Sequence, residues 1–200
     1  RLEDEARVIA VLSDGLGSGV KAGLLATMTA AMALKFTASN LNILSSAEIM
    51  MGTLPVCSVR KISYATFTIV DVDMNGRARV IEMGNPPFML LRGGKGVDLE
   101  SKTITSPKWK KRAMELRQFD ILPGDRLVII SDGITQAGLG TEAFRLGWRR
   151  SECLQFLEDL LRQHPDMASH ELSDRMIRQA LRHEPNFRSQ DDMTCASIHV

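Results

Sequence analysis

The run Ile62-Ser63-Tyr64-Ala65-Thr66-Phe67-Thr68-Ile69-Val70-Asp71-Val72-Asp73, then Met74-Asn75-Gly76, then Arg77-Ala78-Arg79-Val80-Ile81-Glu82-Met83, decides the class of fold. Its first part is rich in branched and aromatic side chains, which suit a pleated surface. Asn75-Gly76 is a turn dipeptide that accepts positive φ and reverses the chain. The segment therefore reads as a β-hairpin. Two more hairpins are expected downstream. Phe88 to Leu91 and Val97 to Leu99 flank Gly93-Gly94-Lys95-Gly96, and Met114 to Leu122 and Arg126 to Ser131 flank Pro123-Gly124-Asp125.

Upstream, Arg7 to Ser13 is an apolar, β-branched run that predicts a buried strand ending at Asp14-Gly15. Good helix formers follow from Val20 to Phe36, with Leu24, Leu25, Met28, Ala31 and Met32 at rough helical spacing. Ser45-Ser46-Ala47-Glu48 predicts a capping box for a second helix ending near Pro55. Helices are also expected over Ser151 to Gln163 and Ala168 to Arg182, before a closing strand from Met193 to Val200. Hairpins in series between helices imply antiparallel sheets and an α+β fold. No repeat, low-complexity segment or Pro/Ser-rich linker interrupts the chain, so residues 1–200 read as one domain.

Composition narrows the function. Hydrophobic residues make up 44% and charged residues 24%, ordinary for a chain with a buried core. Aromatics are 5% against 11 methionines, which points to an adaptable aliphatic core rather than a stacking platform. A net charge of +1 carries no nucleic-acid footprint. The most basic stretch, Lys108, Lys110, Lys111 and Arg112, follows Pro107 and reads as a solvated loop. Cys57, Cys153 and Cys195 are scattered without a CxxC, against both a disulfide framework and structural zinc, so a cytoplasmic protein is expected. No apolar run is long enough to span a membrane. The chain opens on Arg1 without a signal peptide, and is expected to be a piece of a longer protein.

Three acidic sites share a context. Asp14 closes one apolar strand, in Leu12-Ser13-Asp14-Gly15. Asp132 closes another, in Ile129-Ile130-Ser131-Asp132-Gly133. Asp191-Asp192 stands just before a third, Met193 to Ile198. A single Asp-Gly is an ordinary turn dipeptide, but turn chemistry does not require Ser-Asp-Gly to recur after apolar strands. Carboxylates at the lip of buried strands are costly unless a positive charge compensates them. Oxygen ligands with no His or Cys nearby favour Mg²⁺ or Mn²⁺ over zinc. Glycine after each Asp is expected to let the backbone turn sharply and leave its carbonyl free as a further ligand.

Lookalikes fail on detail. Gly15-Leu16-Gly17-Ser18-Gly19 follows a strand, but the last glycine of a dinucleotide fingerprint falls on Val20, and Asp14 would repel a pyrophosphate. There is no P-loop lysine. His164, His170, His183 and His199 form no pair at metal-ligand spacing, and Gly17-Ser18-Gly19 lacks the spacing of a nucleophile elbow.

In order, these motifs resemble the PPM metal-dependent protein phosphatases, specifically the bacterial SpoIIE type. Ser13 to Gly19 is similar to that branch's Asp-Gly-Met-Gly-x-Gly segment. Pro123-Gly124-Asp125-Arg126-Leu127 running into Ser131-Asp132-Gly133-Ile134-Thr135 is the most specific stretch. Ser189-Gln190-Asp191-Asp192-Met193-Thr194 matches the C-terminal motif, and Gly84-Asn85-Pro86-Pro87 resembles a mid-chain Gly-x-Pro-Pro turn. The resemblance spans residues 7 to 200. It implies an α-β-β-α sandwich of two antiparallel sheets and a protein serine/threonine phosphatase using two divalent cations, Mn²⁺ or Mg²⁺. By motif, Asp14 would bridge the two ions and the Gly15 carbonyl would ligate one. Asp132 and Asp191 would complete the other's sphere, and Asp192 would support the turn. Substrate hydrolysis by metal-activated water needs no covalent intermediate.

The resemblance further implies a phosphorylated regulatory protein as substrate, such as a STAS-type anti-sigma-factor antagonist, and control by an upstream sensor or regulatory domain. The family's Gly-Asp motif upstream of the first Asp-Gly is missing from this chain. Two rival readings stand beside this one: a catalytically weak or inactive PPM-like module used for sensing or partner binding, and a hydrolase of small phosphoesters.

Overall fold

The structure, a computed structural model, describes residues 2–4, 7–17, 19–39, 43–53, 65–109, 112–189 and 191–200. In chain order the elements begin with β1 (Leu2–Asp4), β2 (Arg7–Gly15), α1 (Val20–Ala38), α2 (Ile43–Thr53), β3 (Ala65–Asp73) and β4 (Arg77–Met83). There follow β5 (Met89–Arg92), β6 (Lys95–Val97), β7 (Lys102–Thr105) and β8 (Ala113–Asp120). The last are β9 (Arg126–Ile130), a single turn α3 (Asp132–Thr135), α4 (Arg150–Gln163), α5 (Ser169–His183) and β10 (Cys195–His199). Two compact units result, Arg1–Asn85 with Leu99–Ile121, and Pro86–Asp98 with Leu122–Val200.

The first unit is a six-stranded antiparallel sheet in the order β1-β2-β3-β4-β8-β7. The hairpin that fixed the class is present: Gly76 takes φ of 76°, its amide donates to the Asp73 carbonyl, and β4 has the bounds expected of it. Ile69 stands opposite both Val11 and Ile81, and Ile81 opposite Leu116. This row, with Ile9, Phe67, Met83, Met114 and Trp109, is closed by Ala33 of α1 and by Met50 and Met51 of α2.

Helix α1 packs on β2 and β3 through Ala22, Thr29, Ala33 and Thr37. The Thr29 and Thr37 hydroxyls donate to the carbonyls one turn back, both at 2.7 Å, so small polar side chains are buried without an unmet hydrogen bond. The face read from the sequence as apolar is met only in part: Met32 packs against the core, whereas Leu24 and Met28 are exposed. Close approach of helix to sheet selects small residues at the fully buried positions, and the larger Met32, Leu34 and Phe36 pack at their flanks. Helix α2 starts at Ile43, so Ser45 and Ser46 lie within its first turn and do not form the expected cap box. The packing of Met50 and Met51 sets this helix rather than its capping signal. Pro55 and Cys57 lie outside the described residues.

The second unit is a four-stranded antiparallel sheet in the order β10-β9-β5-β6. Its core joins Met89, Leu91, Val128 and Ile130 to Leu157, Leu172, Met176 and Trp148. The fold is thus α+β, with two antiparallel sheets and flanking helices. Helices α4 and α5 lie within one residue of their expected bounds. One expected hairpin is absent. Strand β8 pairs with β4 and β7, whereas β9 pairs with β5 and β10, so Pro123-Gly124-Asp125 is a crossover between sheets.

Asp125 explains that outcome. It is fully buried and accepts Arg92 Nε and Nη2 at 2.9 and 2.7 Å and the Leu122 amide at 2.9 Å. The Gly124 amide donates to the Val200 carbonyl and the Val200 amide to the Asp125 carbonyl, fastening the turn to the end of β10. In the first unit buried Asp71 plays a like part, accepting Arg7 Nε and Nη2 at 2.5 and 2.8 Å and Arg79 Nε at 3.1 Å. Burial by itself raises the Asp71 pKa, but hydrogen bonds from Arg7 and Arg79 reverse this and hold it below the ordinary carboxylate value.

Asp71→Ala, which leaves two guanidinium groups without their carboxylate, is expected to cost about 3 kcal/mol in urea unfolding at pH 7. The advantage of the native chain should be full above the unfolded carboxylate pKa of about 3.9 and shrink as pH falls through the lower folded value. A variant as stable as the native chain at pH 7 would contradict this role.

Candidate metal centre

In each Ser-Asp-Gly the serine hydroxyl donates to a backbone carbonyl and the glycine lies against another backbone segment. In the first unit Ser13 and Asp14 stand opposite Phe67 and Thr66 of β3. The Ser13 hydroxyl donates to the Thr66 carbonyl at 2.7 Å. A Cβ on Gly15 would overlap the Ala22 carbonyl oxygen, because the first turn of α1 crosses directly over it. Thr66 Oγ1 donates to Asn85 Oδ1, and Asn85 Nδ2 donates to Thr68 Oγ1 at 3.1 Å, so the Gly84-Asn85 turn is stitched to β3 beside Asp14.

In the second unit β9 delivers Ser131, and Asp132 opens α3. The Ser131 hydroxyl donates to the Asp192 carbonyl at 3.0 Å and accepts the Thr194 amide at 2.9 Å. Its own amide donates to the Thr194 carbonyl at 3.0 Å. A Cβ on Gly133 would stand 3.0 Å from the Asp192 carbonyl carbon and closer still to its oxygen. Asp132 and the Asp191-Asp192 segment are therefore brought together, through backbone contacts that only Ser131 and Gly133 permit.

The glycine explanation offered by the sequence is corrected here. Neither Gly15 nor Gly133 has positive φ; Gly17 and Gly19 do, at 91° and 87°, with open space around them. The turns are made by Gly17 and Gly19, whereas Gly15 and Gly133 serve close backbone approach. Ser13 and Ser131 contribute to the site in a way not assigned from the sequence. The signal available was the serine itself, repeated before each Asp-Gly.

Oxygen chemistry is concentrated at Asp132. Its Oδ2 accepts Gln136 Nε2 at 3.0 Å, while its Oδ1 is buried with no hydrogen-bond partner among the described residues. A buried carboxylate oxygen without a donor is costly, and a hard cation is the partner that fits it. Asp191 and Asp192 are exposed, and Asp191 Oδ1 accepts the Asp192 amide at 2.9 Å. Among the described residues no group of three His, Cys, Asp or Glu side chains stands gathered to hold a metal. The acidic candidates are divided, Asp14 and Gly15 in one unit, Asp132, Asp191 and Asp192 in the other.

Other reactive groups are occupied elsewhere. Burial pushes the Cys153 thiol up to about 12 and Cys195 up to about 11, so neither is a ready thiolate. His183 packs against Phe144 and Trp148, and burial lowers its pKa. Arg112, expected in a solvated loop, is half-buried and donates to the Trp109 and Met51 carbonyls; Lys110 and Lys111 lie outside the described residues.

A family model described as Stage II sporulation protein E (SpoIIE) matches residues 4–200. Among solved structures, the PP2C phosphatase domain with a regulatory-domain fragment of the cell fate determinant SpoIIE from Bacillus subtilis is 19% identical. It covers 98% of this chain and 55% of that one, with a TM-score of 0.72. The RsbU and RsbW domains of a Mycobacterium tuberculosis protein are 17% identical, covering 96% and 52%, with a TM-score of 0.70. RsbX in complex with magnesium is 16% identical, covering 98% and 82%, with a TM-score of 0.63. The chain thus spans about half the length of the first two. At these identities the likeness establishes the fold of PP2C phosphatase domains. No curated protein matches the sequence.

Gly133→Ala is expected to destabilise the second unit by about 2 kcal/mol, because backbone rather than a flexible side chain must move. Gly23→Ala, on α1 with open space around it, should be neutral or stabilise by up to about 1 kcal/mol. Thermal unfolding of the two variants measures the contrast, and equal effects would contradict the packing role of Gly133.

Proposed function

The chain belongs to the SpoIIE family, and from that membership we propose that it hydrolyses phosphoserine or phosphothreonine on a regulatory protein, with two divalent cations, Mn²⁺ or Mg²⁺, as cofactors. The observation that carries the reading is the buried Oδ1 of Asp132, without a hydrogen-bond partner among the described residues, beside the Asp191-Asp192 backbone. Asp14, the Gly15 carbonyl, Asp132 and Asp191 would hold the ions. Bound there, the cations lower the pKa of water and neutralise charge developing on a phosphoryl group.

The chain's own residues supply position. Gln136 holds Asp132 by one oxygen, so the other keeps a fixed direction without spending side-chain entropy on binding. Ser131 ties the Asp192 carbonyl and the Thr194 amide, fixing the approach of residues 191–194 to β9. Ser13 fixes the end of β2 against β3 in the same sense. With both thiols raised by burial, none of the described cysteines offers a nucleophile, in keeping with direct attack by water.

The substrate would be a small regulatory protein of STAS type in the cytoplasm, and an upstream regulatory domain would control the reaction. Among the described residues no helix is long and apolar enough to cross a membrane. Residues 1–200 would act as one catalytic domain.

Asp132→Asn and Asp14→Asn are each expected to lower Mn²⁺-dependent turnover by at least about 10²-fold, on the scale of losing a key electrostatic group. Folding should be retained. Calorimetric titration with Mn²⁺ should show weakened binding in both variants, and phosphoserine proteins should be better substrates than phosphotyrosine proteins. Full activity in excess EDTA, or near-native rates in either variant, would reject the assignment. Absence of both metal binding and hydrolysis would leave a PPM-like binding module.

A further inference from the structure

Arg126 opens β9, and Asp132 follows the opposite end of that strand. Its side chain is only 2% exposed. Nη2 donates to the Pro165 and Met167 carbonyls at 3.2 and 2.5 Å. Nη1 is buried and, among the described residues, has no hydrogen-bond partner. Burial lowers the Arg126 pKa and Asp166 acts in the opposite sense, but a guanidinium keeps its proton at neutral pH. A buried cation with an idle donor is costly unless an acceptor reaches it.

Arg126 lines a cavity of about 310 Å³. Arg162, Lys95, His199 and Asp166 line it as well, around Gly94 and Gly124, which present backbone without side chains. Among the described residues Lys95 and Arg162 are held by surface pairs, with Glu158 at 3.2 Å and Asp159 at 2.9 Å. Such pairs are worth little, so both cations are free to turn toward a ligand. Three cationic side chains face one carboxylate, and the wall is therefore net positive.

We propose that this cavity is a binding site for a small phosphate-bearing ligand, with Arg126 Nη1 as its anchor and Arg162 and Lys95 at its mouth. A phosphate dianion carries three acceptor oxygens and can take all three cations at once. A carboxylate, with one charge and two oxygens, would leave one of the wall's two net positive charges unmatched. The volume is at the lower end for small-molecule pockets and exceeds what free phosphate fills, which favours a phosphomonoester. Because the cavity and Asp132 lie at opposite ends of β9, binding there needs no metal.

Inorganic phosphate and glycerol 2-phosphate are titrated separately into the full chain in EDTA at constant ionic strength. Heat and the His199 imidazole NMR signals are followed. Saturable binding is expected, weakened about tenfold or more in Arg126→Gln and several-fold in Arg162→Gln, and unchanged in Asp132→Asn. Should Arg126→Gln fail to fold, the surface variants Arg162→Gln and Lys95→Gln carry the same test. Binding of inorganic phosphate alone identifies free phosphate as the ligand, and tighter binding of glycerol 2-phosphate identifies a phosphomonoester; either supports the site. Lack of saturable binding, equal binding by acetate, loss of binding in Asp132→Asn, or unchanged affinity in both surface variants would overturn it.

Discussion

Two backbone carbonyls, those of Ala22 and Asp192, occupy the space where side chains on Gly15 and Gly133 would stand. That close approach fixes how a helix start crosses β2 and how residues 191–194 meet β9. The serine before each Asp-Gly completes the fastening, through Ser13 to the Thr66 carbonyl and Ser131 to the Asp192 carbonyl. In each unit an aspartate is left between a clamped serine and a crowded glycine, at a strand end that cannot drift. Precise placement of carboxylates is what a site for hard cations needs, since oxygen ligands must be held against their mutual repulsion.

The buried charges sort into two kinds. Asp71 and Asp125 are saturated by arginines and amides, and Glu82 is paired with Arg117 at 2.6 Å. These pairs fasten strands. Asp132 Oδ1 and Arg126 Nη1 are different, belonging to a set of buried polar atoms without a partner among the described residues that also includes Arg112 Nη1 and Glu184 Oε2. One is an idle acceptor and the other an idle donor, at the two ends of one fully buried strand. Unmet charged atoms of this sort persist where a ligand completes them.

Local rules made much of the fold legible. Strand β4, the turn at Gly76 and helices α4 and α5 follow from alternation, turn chemistry and helical spacing, all of which act over a few residues. Pro123-Gly124-Asp125 misled because its residues suit a hairpin, while the Asp125 side chain is taken by Arg92 from 33 positions upstream. The outward face of α1 misled for a related reason: Leu24 and Met28 look like core residues until the helix is seen to approach its sheet through Ala and Thr. At the candidate site the recurring Asp-Gly was visible, yet its glycines were credited with turning when their role is to admit a carbonyl. Neither that contact nor the serine clamps can be read without knowing which segment lies across the strand end.

The central claim is that Asp132 Oδ1 is a ligand for a divalent cation. Anomalous diffraction from crystals soaked in Mn²⁺ tests it most directly. The account predicts a manganese peak in contact with Asp132 Oδ1. A fully occupied lattice of well-ordered protein with no peak at Asp132 under saturating Mn²⁺ would contradict it.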